Sequence, residues 1–323
     1  MLAHSPPLPL VLDYFNIYGG IAVEDEKAII LALKQRDRVR RVRLGMIVRY
    51  MLKLIMAIDK EYPVLEYLRM ETTVWDLTGT IAMLPETFQA PRLRHLLVSG
   101  FTLPMGSRLF MTAGGLVRLT LDVGHPFSYF QPNILVQGLT FMSQLEKLLI
   151  VFFAPVYGQG VEGQVMHMPI SSHVRLPNLR WTEFQGVTNY MEAVVRWITT
   201  PRLEELRIQF FEPLNLSIPR LLHFMKTTKN LEFDSAKLEF FMYVVYVRAY
   251  LREEAEVYPL SANIFCGSLS RVSAVAQTFD SLGQIYKYTL RWSISLSNTR
   301  SYLKITIRST PQSGADFLGG LPM

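Results

Sequence analysis

Few side chains in this sequence sit at spacings that could do chemistry. Gly158-x-Gly160-x-x-Gly163 has the spacing of a dinucleotide-binding loop, follows the apolar stretch Leu148 to Phe153, and precedes Glu183 by 20 residues. Such a loop works only when its last glycine opens a helix whose N-terminus receives the pyrophosphate. Pro169 and Ser171-Ser172 follow at once, ahead of the next apolar strand pattern, so no length is left for that helix. A glycine-rich connection accounts for the three residues, and no cofactor is expected.

The other chemical groups are equally dispersed. His4, His95, His125, His167, His173 and His223 form no His-x-x-x-His pair, and Cys266 is the single cysteine. Neither spacing supports a metal site. One cysteine cannot form an internal disulfide, which fits a cytoplasmic or nuclear location. Glu204-Glu205 and Glu253-Glu254 are adjacent, so their side chains point apart on a strand and do not converge as an acid and base pair. There is no Gly-x-Ser-x-Gly elbow and no P-loop. No catalytic residue is expected, and the chain does not read as an enzyme.

Charge raises a different question. The run Lys34 to Arg43 holds five Arg and one Lys against a single Asp, and the whole chain carries +6. Those numbers suit an anionic partner such as nucleic acid. Yet Val39, Val42 and Leu44 punctuate the run as inward positions, which leaves Arg40, Arg41 and Arg43 on a solvated strand face. No aromatic residues interleave them as a single-strand platform requires. Nucleic acid is therefore not the expected partner. A membrane is not expected either, because no stretch reaches the roughly 18 uninterrupted apolar residues of a span. Pro6, Pro7 and Pro9 also interrupt what would be a secretion signal.

The elements that must position these side chains come from a repeat. A Pro or polar residue followed by Leu-x-x-Leu-x-apolar appears as Pro63-Val64-Leu65-Glu66-Tyr67-Leu68-Arg69-Met70 and again as Pro91-Arg92-Leu93-Arg94-His95-Leu96-Leu97-Val98. Further copies begin at Leu116, Leu145, Leu179 and Leu203, with weaker ones at Val39 and at Leu231, the last continuing through Asp234 and Ala236. Successive first positions are 26, 28, 23, 29, 34, 24 and 28 residues apart, which matches leucine-rich repeats. The second and third apolar positions alternate on a short strand, and the first turns inward just before it. Helical segments supply the return path at Glu24 to Gln35, Ile47 to Asp59, Asn133 to Met142, Asn189 to Thr199 and Ile218 to Thr227. Asn133 and Asn189 read as caps and Pro219 as a first-turn residue. The eight-residue run from Phe240 to Val247 reads as one buried strand.

The expected fold is α/β: an irregular leucine-rich-repeat solenoid of strand-turn-helix units, with a parallel sheet on its concave face. Residues 1–240 form the array, 241–283 a strand-rich continuation, and 284–323 a divergent tail that the sequence leaves open between packed and poorly packed. Side chains flanking the second apolar position line the concave face. The candidate partner-binding residues are Arg41, Arg43, Tyr67, Arg69, His95, Arg118, Lys147, Trp181, Glu183, Glu205 and Arg207, with Leu97, Thr120 and Leu149 between them. Aromatic and Arg side chains are the usual interface anchors, which singles out Tyr67, Arg118 and Trp181.

Several segments resemble the leucine-rich portion of F-box-like proteins from mushroom-forming fungi. They include Arg38-Val39-Arg40-Arg41-Val42-Arg43-Leu44, Tyr62-Pro63-Val64-Leu65-Glu66-Tyr67-Leu68 and Leu84-Pro85-Glu86-Thr87-Phe88-Gln89-Ala90-Pro91-Arg92-Leu93-Arg94-His95-Leu96. Gln144-Leu145-Glu146-Lys147-Leu148 and Leu176-Pro177-Asn178-Leu179-Arg180-Trp181 share the likeness, which runs from about residue 10 to about 283. The resemblance implies that the repeats choose the substrate of a ubiquitin ligase. A cullin adapter joins the expected partners only where an F-box lies upstream, and this sequence contains none. The alternative expectation is a free-standing scaffold for an unidentified protein partner, or a truncated gene product.

Overall fold

The computed structural model describes residues 8–17, 19–73, 82–102, 107–123, 130–153, 173–211, 217–231, 235–241, 244–250, 259–266, 288–297 and 300–309. In chain order the first half contains β1 (Leu10–Asn16), α1 (Val23–Leu33), β2 (Val39–Ile47), α2 (Val48–Ile55), β3 (Tyr67–Thr73), β4 (Ala82–Met83), β5 (His95–Ser99), β6 (Phe101–Thr102), α3 (Arg108–Thr112), β7 (Arg118–Val123), α4 (Pro132–Leu139) and β8 (Lys147–Phe152). Then come β9 (Val174–Arg175), β10 (Trp181–Gly186), α5 (Thr188–Val195), β11 (Ile198–Thr199), β12 (Glu205–Phe211) and α6 (Pro219–Thr227). The chain ends in β13 (Ser235–Phe241), β14 (Val244–Tyr250), β15 (Leu260–Phe265), β16 (Tyr288–Ser297) and β17 (Arg300–Ser309).

The motif Leu-x-x-Leu is a turn feeding a strand. The N–H of the first leucine donates three residues back: Leu65 to Tyr62 (3.3 Å), Leu93 to Ala90 (3.0 Å), Leu116 to Ala113 (3.1 Å), Leu145 to Met142 (3.1 Å), Leu179 to Leu176 (3.4 Å) and Leu203 to Thr200 (3.2 Å). Pro63, Pro91, Pro177 and Pro201 occupy the second position of these turns, where a fixed φ near −65° is already correct. That explains the proline upstream of four of the six leucines; Gly114 and Ser143 hold the same turn position ahead of Leu116 and Leu145. The next backbone bonds stitch one turn to its neighbour. The Glu66 carbonyl accepts from the N–H groups of Arg94 and His95, that of Arg94 from Val117 and Arg118, and that of Val117 from Glu146 and Lys147. The carbonyls of Glu146 and Arg180 continue the series through Arg180, Trp181, Glu204 and Glu205.

Strands entered this way align as parallel neighbours in a thirteen-stranded sheet of order β1-β2-β3-β5-β7-β8-β10-β12-β15-β14-β13-β17-β16. Pairing is parallel from β1 through β15 and antiparallel from β15 to β16. The molecule is thus a mixed α/β structure with a large, mostly parallel sheet. One side of the sheet is apolar at every step but Thr182. Val42, Leu68, Leu96, Leu119, Leu148, Thr182 and Leu206 form one register-matched buried row, and Leu44, Met70, Val98, Leu121, Ile150, Phe184 and Ile208 the next. They share a core with buried helix residues such as Met51, Leu54, Val136, Leu139 and Tyr190. Each such leucine or phenylalanine stabilises the fold by about 1.5–3 kcal/mol through burial.

Two polar groups inside this core, on Tyr62 and Glu192, are tied to backbone. The Tyr62 hydroxyl donates to the Leu33 carbonyl at 2.9 Å, and burial pushes its pKa up to about 12. Glu192 on α5 is buried, and its carboxylate accepts from the N–H groups of Arg220 (3.0 Å) and Leu221 (2.8 Å) in the first turn of α6. A negative charge supplied by one helix therefore satisfies the orphan donors and positive end of the next.

Three sequence expectations are corrected: the two asparagine caps, the single strand over Phe240 to Val247, and the place of the eighth copy. Asn133 and Asn189 are not caps: the cap positions of α4 and α5 are Gln131 and Val187, two residues earlier in each case, and neither Gln131 nor Val187 makes a side-chain capping bond. Pro219 does occupy the first turn of α6. The run Phe240 to Val247 is split between two strands that pair antiparallel, Phe240 with Val245 and Phe241 with Val244. The eighth copy keeps its turn, Leu231 donating to Thr228 at 3.0 Å, yet Ala236 lies on β13, away from β12. The neighbour of β12 is β15, paired from Leu206 with Leu260 to Phe211 with Phe265. Asp234 lies outside the described residues. In the tail, β16 and β17 pair with each other, and β17 pairs with β13.

Candidate partner-binding face

Because side chains alternate along a strand, the residues between the buried positions all emerge on the other side of the sheet. Parallel register then places like positions side by side. The first row reads Arg41, Tyr67, His95, Arg118, Lys147, Trp181 and Glu205, and the second Arg43, Arg69, Leu97, Thr120, Leu149, Glu183 and Arg207. All the sequence-derived candidates fall in these two rows, and each is half-buried or exposed. A third row, Gly45, Glu71, Ser99, Asp122, Val151, Gln185 and Gln209, lies two residues further along. Sequence reading stopped one step short of it, although the same period of two continues past the last apolar position of each copy.

The edge nearest β1 is closed on itself. Gly45 leaves room for the Phe15 ring, which a Cβ there would approach to 2.5 Å. The Arg43 and Arg69 guanidinium groups lie over that ring at 4.6 and 5.3 Å. Arg43 also pairs with Asp13 at 3.4 Å, and Arg69 pairs with Glu71. These two arginines are therefore engaged within the molecule.

The centre is more open. Arg41 lies 4.4 Å above the Tyr67 ring, and Tyr67 meets His95 with ring centroids 6.0 Å apart. Partial burial, then the positive charges of Arg118, Arg94 and Arg41, hold the imidazole below its ordinary pKa, with Glu146 opposing them. Among the described residues no carboxylate lies within ion-pair distance of Arg41, Arg118 or Lys147. On the third row Asp122 accepts from the Ser99 hydroxyl at 2.8 Å. Burial raises the Asp122 carboxyl, the Ser99 bond lowers it and Glu71 raises it.

At the far end Arg207 lies 5.8 Å from the Trp181 ring and pairs with Glu205. Burial raises the Glu183 pKa, Arg207 opposes the shift and Glu205 adds to it. The raised carboxyls belong to separate rows and strands, Asp122 to the third row on β7 and Glu183 to the second on β10.

Among the described residues no group of three or more His, Cys, Asp or Glu could hold a metal ion. No helix among them is long and apolar enough to cross a membrane. Gly158, Gly160 and Gly163 lie outside the described residues. On the turn and helix side a cleft of about 550 Å³ is lined by His173, Arg196, Pro201, Arg220, His223 and Lys229 among others. What the fold defines is an α/β protein with an apolar sheet side packed against helices and an opposite side whose polar residues are half-buried or exposed among the described residues. No family model, curated protein or solved structure matches the chain.

Proposed function

We propose that this chain is a protein-interaction module: an irregular leucine-rich-repeat solenoid, performing no chemistry of its own, whose open sheet face receives a partner protein. The observation that supports this reading most is the register of that face. Seven strands present charged, aromatic and small side chains in continuous rows, a broad shallow surface of the kind that repeat proteins use for large partners. Trp181, Tyr67 and Arg118 are the anchors, because truncating aromatic and Arg side chains removes most interface energy.

The resemblance to F-box-like proteins suggests the substrate-recognition role of a ubiquitin-ligase receptor. Co-purification of the full gene product with a cullin adapter supports that role, and a stable partner complex without adapter turns the reading to a free-standing scaffold. The face itself is tested by capture of a partner on the immobilised chain. Trp181→Ala is expected to weaken capture by about tenfold or more, while Lys53→Ala on the helix side leaves it unchanged. Equal capture by wild type and Trp181→Ala would contradict the assignment.

A further inference from the structure

The open face is not uniform in charge, and its centre carries cations that have no ion-pair partner among the described residues. From β2 to β8 the first row runs Arg41, Tyr67, His95, Arg118 and Lys147. Arg41, Arg118 and Lys147 are exposed and have no ion-pair partner among the described residues, whereas Arg43 and Arg69 on the second row are paired with Asp13 and Glu71. Two residues further along each strand the third row is acidic, with Glu71 and Asp122. Half-buried Leu97 and Leu149 lie between the two rows.

We propose that this part of the face binds an extended acidic peptide segment laid across the strands along the first row, its carboxylates on Arg41, Arg118 and Lys147 and its apolar side chains against Leu97 and Leu149. The proposal rests on the protein-interaction reading and gives it a ligand chemistry. The spacing suits such a segment. Strands lie about 4.8 Å apart, so Arg41 to Arg118 spans roughly 14 Å and Arg41 to Lys147 roughly 19 Å. An extended chain advancing about 3.3 Å per residue meets these cations at its first, fifth and seventh positions, which all project to one side.

The same features disfavour nucleic acid. Tyr67 and Trp181 on the first row already carry Arg41 and Arg207 over or beside them and are not free stacking platforms.

The test uses the full chain and a fluorescein-labelled extended heptapeptide with Glu at its first, fifth and seventh positions and Thr or Val elsewhere. A Gln-substituted peptide and a short oligothymidylate serve as competitors. The acidic peptide is expected to bind at least about tenfold more tightly than its Gln counterpart, with affinity falling as salt rises. Arg118→Glu combined with Lys147→Glu should weaken binding by about tenfold or more. The same charge change at Arg196 and Arg220, in the cleft on the other side, should leave it within about twofold. Thermal unfolding of each variant shows that it is folded.

Equal binding of the acidic and Gln peptides, equal loss from the Arg196 and Arg220 reversals, or tighter binding of the oligothymidylate would each overturn the proposal. Failure of the acidic peptide while Trp181→Ala still abolishes partner capture removes only the acidic chemistry. Capture indifferent to Trp181 and to the Arg118 and Lys147 reversals removes the interaction reading as well.

Discussion

The two sides of the parallel sheet are built from the same strands and carry opposite kinds of information. On the buried side the chemistry repeats at each step: leucine or a near equivalent follows leucine across seven strands, with Thr182 as the exception. On the open side it changes at each step, from Arg41 through Tyr67, His95, Arg118 and Lys147 to Trp181 and Glu205. Packing dictates the first pattern, because a close-packed core accepts only side chains of matching shape. Packing does not dictate the second, and that is where selectivity for a partner can reside.

This contrast can be broken or sharpened by substitution, starting where the largest effect is expected. Phe184→Ala removes a buried ring that stacks on Tyr190 and touches Phe152 and Phe210. Urea unfolding should show a loss of about 3–5 kcal/mol, and a small loss would mean that the aromatic core is not close-packed. Gly100 has φ +75°, and a Cβ there would stand 2.4 Å from the Thr72 carbonyl oxygen. Gly100→Ala should therefore cost about 1–3 kcal/mol by the same measurement. Glu192→Ala strips two donors of α6 of their acceptor and should cost about 1–2 kcal/mol, with Gln restoring part of it.

A smaller effect is expected on the open side, from pH. Burial and then Arg118, Arg94 and Arg41 depress the His95 pKa below 6.5. Between that depressed value and 6.5 the folded chain binds fewer protons than the unfolded one, so stability rises with pH through this window. The contribution is fully present above 6.5 and is lost as pH falls through the folded pKa. His95→Gln should flatten this part of the stability profile, and an unchanged slope would show that other groups govern it. Arg118→Ala comes last, with an expected change within about 0.5 kcal/mol.

Much of this division was legible in the sequence because it depends on local periods. Leu65, Leu93, Leu116, Leu145, Leu179 and Leu203 mark turns closed over three residues, and the alternation after each one separates the two sides of the sheet. What was not legible depends on pairing between distant segments. Leu231 repeats the turn, but no local rule states that β15 rather than β13 lies beside β12. Strand β1 also went unread as a unit. Its Leu10, Leu12 and Tyr14 pack on the core in alternation with outward Val11, Asp13 and Phe15, but no Leu-x-x-Leu turn precedes them. The acidic third row was missed because the copies were read only as far as their last apolar residue.

The division between the two sides is tested most directly at adjacent residues of β8, Lys147 on the open row and Leu148 in the core. Equilibrium unfolding of Leu148→Ala should show a loss of about 3 kcal/mol, with Lys147→Glu within about 0.5 kcal/mol of the wild type. A Lys147→Glu variant as destabilised as Leu148→Ala would place the first row in the structural core and contradict the account of an open, partner-binding face.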